Sequence, residues 1–147
     1  MADAVTIRPA VPADAPILSE LLGQLGYPAS VSEIPERLRA LASFPSAAAF
    51  VAMNRYGEVV GLTTAHLFPS IHDNGPVAWL TTLVVLEDAR GAGIGSALVR
   101  HVERWAVENG ARRVAVTSGI QRQATHEFYE KRDYERTGLR FTKRLDH

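Results

Sequence analysis

The stretch Leu83-Val-Val-Leu-Glu-Asp-Ala-Arg-Gly-Ala-Gly-Ile-Gly-Ser-Ala-Leu98 decides how the chain is read. It starts inside residues 77–86, which are apolar almost throughout and predict a central strand buried on both faces. It runs into a helix predicted over residues 94–108, with Ile94, Leu98, Val102 and Trp105 on one stripe and Asn109-Gly110 as the stop. Between the two lie Arg90, Gly91, Gly93 and Gly95. Three glycines in five residues let the backbone turn tightly and leave its N–H groups bare, because no Cβ intervenes. The first turn of the helix adds N–H groups without intrahelical partners and a partial positive charge. Together these make an anion site suited to a pyrophosphate. A plain strand-to-helix turn would need only one of the glycines.

Outward from this segment, residues 5–8 predict a first strand closed by Pro9. Asp14 is the expected cap of a helix carrying Ile17, Leu18, Leu21, Leu22 and Leu25, which Gly26, Tyr27 and Pro28 break. Residues 32–42 predict a second helix with Ile34, Leu38 and Leu41 on one face. Residues 48–53 and 59–68 form a hairpin around a turn at 54–57, and 69–76, with two prolines, is a loop. After the long helix come a buried strand at 114–117, a helix at 121–131 carrying Phe128, and a closing strand within 134–145. The order β-α-α-β-β-β-α-β-α-β is a mixed α/β layer fold, read as one domain over 1–147. A right-handed crossover through the long helix makes the strands at 77–86 and 114–117 parallel.

Composition narrows the function classes. A chain of 147 residues, 46% hydrophobic and 22% charged, can bury roughly 68–70% of its unfolded surface. Sixteen basic residues balance sixteen acidic ones, so there is no global positive field to hold nucleic acid or an anionic membrane. The absence of cysteine excludes disulfides, thiolate nucleophiles and zinc–cysteine sites. Five scattered histidines build no metal site, so no metal is expected. The N-terminal MADAVTIRPA lacks a signal peptide's apolar core, and no apolar run approaches the roughly 20 residues that span a bilayer. A cytoplasmic protein is expected.

Two common phosphate loops fail on spacing. Counted from Gly91, the third glycine of G-x-G-x-x-G falls on Ser96, and counted from Gly93 it falls on Leu98. The P-loop fails for want of Gly-Lys-Ser/Thr. The spacing present, Arg90-x-x-Gly93-x-Gly95 behind a Leu-Val-Val strand, resembles the acyl-CoA pyrophosphate loop of the GNAT acetyltransferase superfamily. The resemblance extends over nearly the whole chain. Ile7-Arg8-Pro9-Ala10 with Asp14 is similar to the family's first strand and helix start. His126-Glu-Phe-Tyr129-Glu-Lys131 is similar to its penultimate helix, and 141–145 to its last strand.

This resemblance implies a central, mixed but mostly antiparallel sheet splayed between strands 4 and 5, with helices on both faces and the pantetheine arm of acetyl-CoA in the gap. It implies that Leu83, Val84 and Val85 meet that arm like an added strand, with the Val85 backbone N–H at the acetyl oxyanion. Arg90, Gly91, Ala92, Gly93, Ile94, Gly95 and Ser96 are the implied pyrophosphate site. Arg122, where the family often has asparagine, is a candidate cofactor contact, with an acidic acceptor or a neighbouring carboxylate as its alternative partners, and Tyr129 is the implied general acid. The chain departs from the family at Asp133-Tyr134, where Gly-Phe or Gly-Tyr is usual, and at Thr81 and Thr82, where a carboxylate is common.

Acetyl transfer from a thioester needs a neutral amine, whose free pKa lies near 10.4, donors for an oxyanion, and a proton for the leaving thiolate. A tyrosine can supply that proton, and a Tyr129 ring merely packed beside Phe128 is the structural alternative. For the base, His66, His72, Asp73, His126 or a water relay are the candidates, each histidine reading first as a surface or structural group. Arg112 and Arg113 read as a solvated charge pair. The expected function is an N-acetyltransferase moving acetyl from acetyl-CoA to a small-molecule primary amine in a ternary complex. A protein or peptide amine acetyltransferase and a non-catalytic acyl-CoA-binding regulatory domain are the alternatives. A homodimer, with Phe68-Pro69 and the C-terminal strand at an apolar edge, is a possible assembly.

Overall fold

A computed structural model describes residues 5–117, 123–138 and 140–146. It divides into two compact units, Met1–Ala115 and Val116–His147. In the first, strand β1 (Thr6–Pro9) is followed by helices α1 (Ala15–Leu25) and α2 (Ile34–Ala42), then strands β2 (Ala47–Met53), β3 (Val59–Phe68) and β4 (Val77–Val85). Helix α3 (Ile94–Glu108) then leads to β5 (Val114–Val116), and the sheet order is β1-β2-β3-β4-β5. The pairs β1–β2, β2–β3 and β3–β4 are antiparallel, while β5 lies parallel to β4 across the α3 crossover.

Local chemistry explains where the first helices begin and end. Helix α1 carries proline in its first turn, where the missing N–H is harmless, and stops at Gly26 with φ 100°. Its buried stripe, Leu18 and Leu21, packs with Ile34 of α2 against Val51, Leu62 and Val84 of the sheet. A Leu→Ala change in such a stripe costs about 2–5 kcal/mol. Helix α2 starts later than its residue pattern predicts, because Glu33 turns back to accept from the Ser30 N–H (2.9 Å) and hydroxyl (2.8 Å), forming a 3-10 turn first.

Asp14 does not cap α1 with its side chain. It takes the Arg8 guanidinium in a two-pronged pair, both contacts 2.8 Å, and accepts the Val11 N–H at 2.8 Å. A buried carboxylate gains more from a guanidinium than from a single backbone donor, which is the reason the cap is displaced.

Helix α3 covers the opposite face. Ile94 and Leu98 pack on Ala52 and Val60, and Ala106 packs on Ala78. Gly61 of β3 makes the approach possible: a Cβ there would lie 3.0 Å from Leu98 Cδ1 and 3.3 Å from Ile94 Cγ2. Helices therefore lie on both faces of the sheet.

The two inner strands differ from their predicted burial. In β4 only Val77, Ala78, Leu80 and Val84 are buried, and Thr81 is exposed. The cause is a bulge: Thr64 pairs with Thr82 but Ala65 pairs with Leu80, leaving Thr81 as an extra residue. All of β5 is half-buried rather than buried, and it ends one residue earlier than expected.

In the second unit, helix α4 (Gln123–Glu130) is the regular element. The expected closing strand is absent among the described residues from 134 onward. Phe141 and Leu145 are 89% and 85% exposed, and Arg144 pairs locally with Asp146 at 2.8 Å. Without a ladder partner or a buried face, an isolated stretch has nothing to offset the entropy of extension.

Candidate active site

The bulge in β4 sets the geometry of the first unit's site. The Ala78 N–H points to the β5 side, donating to Arg113 O at 3.1 Å, whereas the Leu86 N–H points to β3, donating to Val60 O at 2.9 Å. Peptide groups alternate along a strand, so residues 78 and 86 would face the same way without the extra residue at Thr81. The inversion leaves the peptide groups of Leu83 and Val85 facing away from β3, while those of Val84 stay in the β3 ladder. Val84 also buries its side chain in the core. Of the three predicted strand positions, Leu83 turns both its N–H and C=O away from β3, Val85 turns its N–H outward while its carbonyl is taken by Arg90, and Val84 stays in the ladder.

Beyond β4 the chain is pinned for four residues. The Glu87 N–H donates to Gln24 Oε1 of α1 (2.9 Å), the Ala89 N–H to Leu86 O (2.9 Å), and the Arg90 N–H to Glu87 O (3.3 Å). The Arg90 side chain then reaches back, its Nε donating to Val85 O at 3.1 Å. After Arg90 the pinning stops. Gly91 and Gly93 adopt left-handed conformations with φ 88° and 80°, and nothing lies within 4 Å of where a Cβ would stand on either. Among the described residues, no backbone carbonyl accepts from the N–H groups of Gly91, Ala92, Gly93, Ile94 or Gly95; the first helical bond runs from Ala97 N–H to Gly93 O at 3.0 Å. Ile94 turns its side chain into the core, and Ser96 Oγ accepts from Arg100 Nη1 at 3.0 Å. Arg90, Gly91, Ala92 and Gly93 are exposed. A surface with consecutive donors at a helix N-terminus, no side chain in front of it and space on its outer side fits a diphosphate.

The other candidates fall in different places. His66 lies on β3 opposite Trp79, half-buried, and His72 is exposed in the 69–76 loop. Asp73 is taken by Arg113 at 2.8 Å; Arg113 is exposed, as its sequence position suggested, but it is also ion-paired. Arg122 lies outside the described residues. In the second unit, Tyr129 is 7% exposed, its ring stacked on Phe128 at 5.2 Å and met edge-on by Tyr134 at 5.5 Å. Burial pushes its phenol up to about 12, against a smaller opposing pull from Arg132. His126 sits half-buried on the same helix. The packing alternative for Tyr129 is thus realised in its ring, which leaves the role of the hydroxyl open to test.

Three features lay beyond the sequence reading. Thr64 and Thr81 hydroxyls join at 2.8 Å across the bulge, Gln24 holds the strand end from 63 residues away, and Trp79 Nε1 is buried with no hydrogen-bond partner among the described residues. Only the threonine pair had a signal, since Thr81 and Thr82 interrupt an otherwise apolar run.

Comparison with known proteins bears on the same segments. Aminoglycoside N(6')-acetyltransferase type 1 of Stenotrophomonas maltophilia is 30% identical over 141 residues, covering 93% of this chain and 90% of that one. Aminoalkylphosphonate N-acetyltransferase of Salmonella typhimurium is 36% identical over 91 residues, a match spanning 62% of this chain and only 59% of that enzyme. Among solved structures, a putative acetyltransferase from Agrobacterium tumefaciens str. C58 superposes with TM-score 0.84 at 28% identity, over 95% of this chain and 99% of that one. The aminoglycoside N-acetyltransferase AAC(6')-Iy in complex with CoA shares the fold, with TM-score 0.83 at 20% identity over 98% and 96% of the two chains. The model of the acetyltransferase (GNAT) family matches residues 17–134, a span holding most of α1, the glycine loop and α4. On that match the chain belongs to the GNAT family of acetyltransferases.

Proposed function

We propose that the chain transfers the acetyl group of acetyl-CoA to a primary amine of a small molecule, by direct attack in a ternary complex. The observation that carries this is the run of bare backbone donors from Gly91 to Gly95 at the start of α3. Its chemistry suits the diphosphate of CoA, and the outward peptide edge at Leu83 and Val85 suits the amides of the pantetheine arm. Two relatives named as N-acetyltransferases of small amines support the acceptor class.

The neutral amine attacks the thioester carbonyl and forms a C–N bond, and the carbonyl electron pair moves onto oxygen. A Val85 N–H that faces away from β3 is a suitable donor to that oxyanion. Collapse restores the carbonyl and breaks the C–S bond, and the departing thiolate takes the proton of Tyr129. With its phenol at about 12, Tyr129 is fully protonated at neutral pH. The tyrosinate so formed is strongly basic and recovers its proton from the newly acylated nitrogen. Deprotonation of the incoming ammonium is assigned to a water relay, with His66, His72 and His126 as side chains to test and Asp73 already engaged by Arg113.

As part of this reading, the whole chain acts as one catalytic domain, since the family match runs across the boundary between the two units. It works in the cytoplasm, where acetyl-CoA is available, without nucleic acid or metal. It forms a homodimer through an apolar edge of Phe68-Pro69 and the C-terminal segment, where Phe68, Phe141 and Leu145 are exposed; sedimentation at micromolar concentration giving only monomer removes that element.

The test is thiol release from acetyl-CoA with a panel of aminoglycosides, aminoalkylphosphonates, polyamines and peptide amines. Release that depends on a small amine, with one acetylamide formed per thiol, supports the proposal. Release confined to peptides assigns a protein acceptor, and CoA binding with no release for any amine assigns a non-catalytic acyl-CoA-binding domain.

A further inference from the structure

We propose that Arg90 is a positioning residue, which sets the pyrophosphate loop through its Nε–Val85 clasp rather than through its charge; this rests on the CoA-binding reading above. Arg90 is the last residue with a described hydrogen bond before the run of bare donors begins. Its backbone N–H is held by Glu87 O, and its side chain by Val85 O. The two bonds close short rings that fix where the chain leaves the strand. From Gly91 to Gly95 the chain has glycine at three of five positions, and each glycine loses more conformational freedom on ordering than any other residue would in its place.

The acceptor is also informative. Val85 O is available because the Thr81 bulge turns that carbonyl away from β3, while the N–H of the same peptide, on Leu86, donates to Val60 O of β3 at 2.9 Å. With the Leu86 N–H already held by β3, Arg90 engages the other end of the Val85–Leu86 peptide and ties the loop's origin to the strand edge. The two surfaces that must meet one ligand, the Leu83–Val85 edge and the Gly91–Gly95 donors, are thereby held in one register. The guanidinium charge, by contrast, sits on an exposed side chain, where water and salt screen its pull on a phosphate.

Side-chain chemistry separates the two roles. Glutamine carries an N–H donor on Cδ, at the same place along the side chain as the arginine Nε, but no charge. Lysine keeps the charge and places a methylene there. If the clasp is what counts, Arg90→Gln retains CoA affinity within about threefold of wild type by calorimetry, while Arg90→Lys weakens it tenfold or more. The carbonyl carbon resonance of Val85 in the ligand-free protein reports the clasp directly. It stays near the wild-type position in Arg90→Gln and moves to that of an unbonded carbonyl in Arg90→Lys. Thermal midpoints close to wild type show that both variants fold, and the carbon resonance remains readable where affinity is lost. Lysine retaining affinity while glutamine loses it overturns the proposal in favour of charge, and both variants retaining it or both losing it tenfold overturns it as well. Failure of the wild-type chain to bind CoA would instead remove the function proposed above, while the Val85 resonance would still decide whether the clasp exists.

Discussion

Two regions of this molecule send the backbone through left-handed conformations, and they do so with opposite consequences. In the loop before α3, Gly91 and Gly93 at φ 88° and 80° leave their N–H groups unpaired and exposed. After α4, Asp133 at φ 67° stands where most of the chain's left-handed positions have glycine, and there the donors are consumed. The Arg132 N–H donates to Tyr129 O (2.9 Å), the Asp133 N–H to Glu130 O (3.2 Å) and the Tyr134 N–H to Tyr129 O (3.1 Å). The first arrangement offers donors to an anion, as proposed above, and the second is a helix terminus. A left-handed residue marks a change of chain direction, and only unspent donors turn that change into a place for a ligand.

The largest effect expected from either region lies in the second. Tyr129→Phe keeps the stacking with Phe128 and the edge contact with Tyr134 while deleting the hydroxyl. Turnover with the true amine should fall by roughly 10²–10³ with CoA affinity and thermal midpoint nearly unchanged. Steady-state kinetics within about threefold of wild type would show that the region serves packing alone.

A second change perturbs the first unit away from its loop. The Arg8 hydrogen bonds hold the Asp14 carboxyl below its ordinary range, against the opposing pull of burial. A depressed folded-state pKa gives stability that is complete above the unfolded value, near 3.9, and is lost as pH falls through the folded one. Asp14→Asn should cost about 2 kcal/mol at pH 7, and the gap between variant and wild type should close under acid. Urea melts from pH 7 to pH 2 read this directly; a gap independent of pH would sever the carboxylate from the effect.

The loop itself is tested by Gly93→Asp, which sets a side chain and a negative charge into the open face and forces a residue with a Cβ to φ 80°. CoA affinity should fall more than tenfold, at least about 1.4 kcal/mol. An unchanged dissociation constant in a folded variant would move the pyrophosphate elsewhere. The smallest expected effect is a gain: Asp133→Gly relieves the left-handed backbone and should stabilise the chain by about 0.5 kcal/mol. A lower denaturation midpoint would mean that the aspartate side chain contributes more than its backbone strain removes.

The same contrast explains what could be read from residues alone. The glycine loop, the stripe of α3 and the β2–β3 hairpin are written in neighbours a few positions apart, and they stand where the pattern puts them. The bulge at Thr81 is not local. It depends on how Thr64 and Ala65 register with β4, and nothing within the run Leu-Thr-Thr-Leu separates a bulge from a regular strand. Asp14 carried a genuine cap signal, overridden by a guanidinium six residues earlier in the chain. Gln24, tied to the Glu87 N–H, and Arg113, tied to Asp73, act across 63 and 40 residues, distances over which periodicity is silent. The strand expected within 134–145 was read from the residues and from the resemblance alike, and an alternation as weak as Phe141-Thr-Lys-Arg-Leu145 does not form a strand without a partner.

If the bare backbone donors at the start of α3 hold CoA as proposed, the chain binds one CoA there. Calorimetric titration of the wild-type protein with CoA, repeated in the presence of adenosine 3',5'-bisphosphate and of inorganic pyrophosphate, tests it most directly. The expected result is one saturable site per chain, weakened by pyrophosphate in competition and by rising salt. Absence of saturable binding at millimolar CoA, or a site on which pyrophosphate does not compete, would contradict it.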